Sequence, residues 1–202
     1  MEFIDNNKNY DNELKLKVTI VGLSESGKSK SITRLNSNNY YDFKEIQDSY
    51  QETVGFDFYT KKIRIKSKVF SLQIWETCGN PIYDSLIQDF YRNTNIFFIF
   101  YNSFNIESFE KAKKYFNDIN KYLIDENKIY ILVSSKYDIN LKPDEYKNII
   151  SDEEVMEFAD KNNIYFYHIS SFEKYSTGIN ELIFFALLEY LKKNNLIKIN
   201  KK

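Results

Sequence analysis

Gly22, Leu23, Ser24, Glu25, Ser26, Gly27, Lys28 and Ser29 follow one another with the spacing G-x-x-x-x-G-K-[ST]. That pattern marks a phosphate-binding loop, or P-loop. Its glycines let the backbone turn tightly, so that successive N–H groups point inward at anionic oxygens. A helix opening straight after the loop would add the positive end of its dipole to the same site. Lys28 would reach the terminal phosphates, and the Ser29 hydroxyl would ligate Mg2+. Ser24, Glu25, Ser26 and Lys30 would line or flank the bound anion. A Gly-rich turn can arise by chance, so the flanking elements decide the reading.

They have the required order. Residues 14–21 alternate and then turn fully apolar, as a strand entering a sheet does, and residues 30–35 can open a helix. Residues 36–51 are polar without clear periodicity and read as a long surface loop. Residues 58–66 and 69–75 alternate, and Ser67-Lys68 can turn between them as a hairpin. Pro81 ends regular sheet, and residues 82–92 read as a short, irregular helix. Residues 96–100 form a wholly apolar strand of the parallel-sheet kind. Residues 105–123 form a helix with Phe109, Ala112, Phe116, Ile119 and Leu123 on one stripe. Another buried strand spans residues 128–134. Ser151 and Glu154 have capping-box spacing for a helix running to about Lys161. A strand over residues 164–169 and a helix over residues 179–193 complete the pattern. Alternating strands and helices predict a three-layer α/β domain, with ligands beyond the carboxyl ends of the strands. The expected sheet has six strands, mostly parallel, with one antiparallel hairpin strand. Residues 1–13 read as a flexible N-terminal extension, 14–193 as a single domain and 194–202 as a basic tail.

The bulk properties narrow the chemistry. A chain of 202 residues with net charge −1 lacks the basic excess of a nucleic-acid binder. The 17 tyrosines and 17 phenylalanines accompany many Asn, Lys and Ile residues and read as compositional drift rather than as stacking platforms. One cysteine, Cys78, rules out an internal disulfide and fits a reducing compartment. No basic-then-apolar leader opens the chain, and its apolar runs are too short to span a bilayer. His168, the only histidine, stands among aromatics and reads as a packed side chain.

Later motifs, added to the P-loop, resemble the Ras superfamily of small GTPases, and the Rab family in particular, over about residues 13–191. Thr53-Val54-Gly55-Phe56-Asp57-Phe58 is similar to the Rab stretch T-I-G-V-D-F. Leu72-Gln73-Ile74-Trp75-Glu76-Thr77-Cys78-Gly79 resembles L-Q-I-W-D-T-A-G, and Phe90-Tyr91-Arg92 resembles Y-Y-R. Ser135-Lys136-Tyr137-Asp138 resembles the guanine-reading N-K-x-D, and Ser170-Ser171-Phe172 the base-contact S-A-K. The resemblance implies the P-loop NTPase (small G-protein) fold, GTP/GDP and Mg2+ as ligands, and GTP hydrolysis. It implies that Tyr40, or Tyr41, stacks on guanine. Thr53 would close on the γ-phosphate and complete the Mg2+ shell with Ser29 and Glu76. The Gly79 N–H would meet the same phosphate. Asp138 would accept from guanine N1 and N2, with Lys136 along the base and a Ser171 N–H near O6.

The departures are as informative. Asn80 stands where the family places the glutamine that orients the attacking water, so Asn80, Lys28 and Thr53 form the expected catalytic set with slow intrinsic hydrolysis. Glu76 replaces an aspartate that holds Mg2+ through water. Ser135 replaces Asn and Phe172 replaces Lys, which weakens guanine contacts. Glu25 puts a carboxylate in the P-loop, where it is expected to face solvent. The first switch loop is several residues longer than usual, which raises the entropy lost on closing it. Cys78 replaces Ala, as a small packed residue or as a redox thiol.

The leading expectation is a Rab-like molecular switch in vesicle trafficking, monomeric, whose residues 36–58 and 76–92 meet effector, exchange and activating proteins. The alternative is a pseudo-GTPase serving as a scaffold, with or without bound nucleotide. An ATP-dependent kinase fits less well, because no arginine-rich lid is visible. Residue 2 is Glu and the tail has no Cys, so N-myristoylation and prenylation are not expected in this chain. A cytoplasmic location is expected, with membranes reached through partners.

Overall fold

The computed structural model describes residues 2–36, 53–123, 127–135, 150–170 and 178–196. A seven-stranded sheet forms its middle layer. In chain order the elements are β1 (Glu2–Ile4), β2 (Leu14–Gly22), α1 (Lys28–Asn36), β3 (Phe56–Ile65), β4 (Lys68–Thr77), a 3-10 turn (Pro81–Tyr83), α2 (Asp84–Tyr91), β5 (Ile96–Asn102), α3 (Ile106–Tyr122), β6 (Ile129–Ser135), α4 (Asp152–Lys161), β7 (Tyr165–His168) and α5 (Ile179–Lys193). The strands lie in the order β1-β3-β4-β2-β5-β6-β7. Only β3 runs against the rest, being antiparallel to both β1 and β4.

Period-2 alternation sends each strand's side chains to two separate cores. On one side of β5, Ile96, Phe98 and Phe100 join Val18, Ile20, Ile131 and Val133 beneath Ile32 of α1 and Leu182, Ala186 and Leu187 of α5. On the other, Phe97, Ile99 and Tyr101 meet Phe109, Ala112, Phe116 and Ile119 of α3, and Val155 of α4. Both faces of the central strands are therefore buried, which explains their unbroken apolar runs. Caps set the helix starts. Asn105 accepts from the Ser108 N–H at 3.0 Å, and Ser151 from the Glu154 N–H at 3.2 Å.

Two expectations change. The hairpin turns at Lys66-Ser67, one residue earlier than predicted, and Lys66 takes the left-handed conformation at φ 54°. The expected flexible extension supplies a seventh strand. Glu2, Phe3 and Ile4 pair with Arg64, Ile63 and Lys62 along the outer edge of β3. The segment after them folds back over the hairpin. The Lys62 ammonium, almost fully buried, bonds the Lys8 carbonyl at 2.8 Å and pairs with Glu13 at 3.0 Å. Asn6 accepts from the Lys62 N–H at 2.8 Å, and Phe3 stacks on Phe184 of α5 at 4.8 Å. Composition hid this strand because its apolar residues are few and its partners are more than fifty residues away. It satisfies backbone groups that an open edge would expose.

Phe3→Ala should cost about 1 kcal/mol, a melting temperature lower by about 2–4 °C. It should also speed amide exchange at Lys62 to Arg64 selectively. Unchanged melting and exchange would mean that β1 contributes nothing to this edge.

Candidate functional site

The carboxyl ends of β2, β4 and β6 meet at the P-loop, and close backbone approach dictates its residues. A Cβ on Gly22 would lie 2.5 Å from the Phe100 carbonyl oxygen of β5. Gly27 has φ +86°, and a Cβ there would lie 2.8 Å from Ser135 Oγ at the end of β6. Glu25 takes the left-handed conformation at φ 64°, a strained choice for a side chain. Its side chain is exposed, as expected for a carboxylate in an anion-binding loop. The Ser24 N–H is taken by the Gly79 carbonyl at 3.1 Å, and the Ser26 N–H by Leu23 at 3.2 Å. The N–H groups of Glu25, Gly27, Lys28, Ser29 and Lys30 have no backbone partner among the described residues, and three of them form the first turn of α1. They make an amide nest at a helix N-terminus. Lys30 itself is exposed on α1.

Lys28 lies folded over this loop, its ammonium donating to the carbonyls of Gly22 at 2.8 Å and Leu23 at 2.9 Å. Burial lowers its pKa from the usual lysine value to about 8, against the opposing pull of Glu76 and, less, of Cys78. Ser29 Oγ donates to Glu76 Oε1 at 2.5 Å and lies 3.1 Å from Thr53 Oγ1. Glu76 is fully buried, and its Oε2 has no hydrogen-bond partner among the described residues. Burial raises the Glu76 pKa, Asp57 adds to the rise, and Ser29 and Lys28 oppose it. Two hydroxyls and a carboxylate with one unsatisfied oxygen are the ligand set that a hard divalent cation takes, so these residues fit Mg2+.

Strand β4 delivers Gly79 straight onto the P-loop. A Cβ on Gly79 would stand 2.1 Å from the Ser24 nitrogen, so no other residue fits. The approach is held by Thr77, whose hydroxyl donates to the Ile20 carbonyl at 2.9 Å, and by the Cys78 N–H donating to the Gly55 carbonyl at 2.9 Å. The Cys78 thiol is buried. Asn80 points back along its own chain: its Oδ1 accepts from the Ile82 N–H at 3.1 Å and caps the 3-10 turn. Ser135 and Ser26 are buried with hydroxyls unpartnered among the described residues. Ser170 is brought to the same end of the sheet by the Ile169 N–H bonding the Ser134 carbonyl at 2.8 Å. Tyr40, Lys136, Asp138, Ser171 and Phe172 lie outside the described residues.

Two features escaped the sequence reading. Phe56, Phe58, Trp75 and Phe90 form one aromatic cluster, with centroids 4.7–5.6 Å apart, on the solvent side of the hairpin. Phe56 and Phe58 stay about half exposed at 49% and 47%, and Val54, Ile82 and Leu86 beside the same loops are exposed too. The run Phe-Asp-Phe signalled the first two, but only β3–β4 pairing and the return of α2 join them to Trp75 and Phe90. Asp84, at the start of α2, pairs with the Lys111 ammonium and accepts from the Tyr115 hydroxyl at 3.0 Å, both on α3. Nothing in the local sequence announces that clamp. His168 packs edge-on against Phe166 at 4.4 Å, with Nε2 3.3 Å from Asp152 Oδ1. Among the described residues no group of three His, Cys, Asp or Glu side chains could hold a metal ion without hydroxyl ligands, and no helix is long and apolar enough to cross a membrane.

Comparison with known proteins agrees with this geometry. The Ras family model matches residues 17–193. The chain is 30% identical over 186 residues to the Ras-related protein RABD2b of Arabidopsis thaliana, covering 92% of this chain and 84% of that one. It is 32% identical over 183 residues to the Ras-related protein RabH of Dictyostelium discoideum (90% and 84% covered), and 29% over 182 to Rab-1C of the same organism (90% and 83%). A P-loop seated on a parallel sheet, a glycine pressed against it and relatives of this kind make the chain a divergent, Rab-like member of the Ras family of small GTPases.

Proposed function

We propose that this protein is a guanine-nucleotide switch that binds GDP and GTP with Mg2+, acting in membrane trafficking at the surface of endomembranes. The observation that carries this reading is the convergence of Lys28, Ser29, Thr53, Glu76 and Gly79 from three separate segments on one amide nest. Ser29, Thr53 and Glu76 would hold the Mg2+, which would supply positive charge to offset that of the phosphates. Lys28 would turn its ammonium from two carbonyls to the phosphates. The Gly79 N–H would meet the γ-phosphate once its carbonyl releases Ser24. Residues 14–193 act as the nucleotide domain, with 194–202 as a basic tail. Guanine would be read by Asp138, Lys136 and Ser171, with Tyr40 stacked on it, and with Ser135, Ser170 and Phe172 forming a reduced contact set. Residues 36–58 and 76–92 would meet effector and regulatory proteins, and the half-exposed Phe56 and Phe58, backed by Trp75 and Phe90, would supply an apolar centre for that contact.

Hydrolysis is slow on this reading. Orienting a water requires a side chain aimed at the phosphate. The Asn80 amide oxygen is engaged by the Ile82 N–H, and Pro81 stiffens the backbone beside it. Asn80→Gln supplies one more methylene and should raise single-turnover GTP cleavage about tenfold. Cleavage by the unaltered protein that already matches other Rab proteins would contradict this.

Binding should depend on pH through Lys28. An anion beside the ammonium favours its charged form, so the pKa is higher in the complex than the value of about 8 in the free protein. Between those two values the complex holds a proton that the free protein lacks. GDP affinity should therefore be level up to about pH 8 and then fall toward tenfold per pH unit. Lys28→Ala should bind about 10- to 100-fold more weakly and lose that alkaline limb. Titration with fluorescent GDP, together with identification of any nucleotide that copurifies, checks both. A site that is empty on purification and ignores added GTP with Mg2+ would point instead to a scaffold.

A further inference from the structure

Asp84 is tied to α3 twice. One carboxylate oxygen pairs with the Lys111 ammonium, and the other accepts from the Tyr115 hydroxyl at 3.0 Å. The Lys111 and Asp84 side chains are only 12% and 33% exposed, so this is not one of the freely solvated ion pairs that contribute little. The Lys111 ammonium also lies 4.9 Å from the centre of the Tyr115 ring, which holds the three groups as a unit. They fix one end of α2. The other end is tied to β2 and to the turn before β5. The Phe90 carbonyl accepts from the Thr94 hydroxyl at 2.9 Å, and that hydroxyl lies 2.8 Å from the hydroxyl of Thr19. The Arg92 carbonyl accepts from the Lys17 ammonium at 2.8 Å. Between the two ends, Ile87 and Tyr91 are buried in the same core as Phe116 of α3. The Phe90 ring touches Phe56, but Phe56 is itself paired with Thr77 in the sheet.

The segment just before α2 is held differently. Among the described residues, 80–83 bond only to one another and to Asp84. The Tyr83 N–H donates to the Asn80 carbonyl at 3.1 Å, the Ile82 N–H to the Asn80 side chain at 3.1 Å, and the Asp84 N–H to the Pro81 carbonyl. Pro81, Ile82 and Tyr83 bury no side chain. The bonds that lead out from the P-loop reach Gly79, whose carbonyl takes the Ser24 N–H, and go no further along this segment. A ligand shifts only what it contacts differently in two states. A turn with no buried side chain also opens at lower cost than a helix that buries two and is tied at both ends.

We propose that Asp84 is a positioning residue that stops the nucleotide-driven rearrangement at the start of α2. The change of state is confined to residues 80–83, and α2 keeps one placement whether GDP or GTP is bound. The inference rests on the nucleotide reading above and adds to it where in this chain the two states differ.

Amide hydrogen exchange tests this in the full chain, loaded with Mg2+ and either GDP or the non-hydrolysable analogue guanosine β,γ-imidotriphosphate. The amides of Asn80, Ile82 and Tyr83 should differ about tenfold between the two loads, and those of residues 85–91 by less than about twofold. Asp84→Asn and Lys111→Met keep much of each side chain's shape and remove the ion pair. In either variant residues 85–88 should come to differ about fivefold between loads. Lys111→Arg, which keeps a cation beside Asp84, should leave them level. A side chain serving stability alone would speed exchange equally in both loads, so the difference between loads is the deciding readout. A difference over residues 85–91 of the unaltered protein as large as that at 80–83 overturns the inference. So does the absence of any difference at 80–83, and so do Asp84→Asn and Lys111→Met proteins whose residues 85–88 stay level between loads. If those variants do not fold, the comparison within the unaltered protein still decides. Failure of the unaltered protein to take up either nucleotide would remove the nucleotide reading beneath the inference, which is a different result from a change spread along α2.

Discussion

Gly79 can be only glycine, because its backbone runs into the backbone of Ser24. That contact is the constraint on which the site depends. It fixes the end of β4 against the loop between β2 and α1, two segments more than fifty residues apart in sequence. It also explains why the flanking residues are what they are. Thr77 spans to the Ile20 carbonyl, and Cys78 is small enough to be buried beneath the contact. The Ser24–Gly79 hydrogen bond occupies one loop amide with a protein carbonyl. On the proposed function an anion arriving at the nest would compete with that bond, so that binding would be coupled to movement of the segment around Gly79.

The electrostatics follow from the same crowding. Lys28 and Glu76 are both buried at the mouth of the sheet, and burial shifts both: it pulls the lysine pKa down and pushes the carboxyl pKa up. Carbonyls hold the ammonium, and a hydroxyl holds half of the carboxylate. Such an arrangement is costly in the free protein, and on the proposed function a phosphate and a cation arriving together would relieve it.

Around this centre the molecule divides its labour by rigidity. The core on both faces of β5 and the strand β1 hold the sheet, and β1 does so by covering the edge next to the hairpin that carries Phe56 and Phe58. Asp84, held by Lys111 and Tyr115, anchors α2 to α3 just beyond Asn80. The aromatic cluster, with Phe56 and Phe58 half exposed, thus stands between β1 and the Asp84 contact.

The sequence by itself determined the P-loop, the order of elements and the apolar stripes, because each rests on local rules. Glycine tolerates backbone approach, alternation has period two, and Ser151 caps the residue three positions on. It also carried Ser29, Thr53 and Glu76 as candidates, through motifs that keep their spacing along the chain. Only the tertiary structure decided what depends on residues distant in sequence. It placed a strand in the first four residues, since its partners Lys62 to Arg64 and Phe184 lie far along the chain. It turned Asn80 back onto its own turn and joined Phe56 to Phe90. Above all it left Glu76 Oε2 without a partner among the described residues, because whether a buried charge is satisfied depends on which backbone and side chains surround it, and no stretch of residues records that.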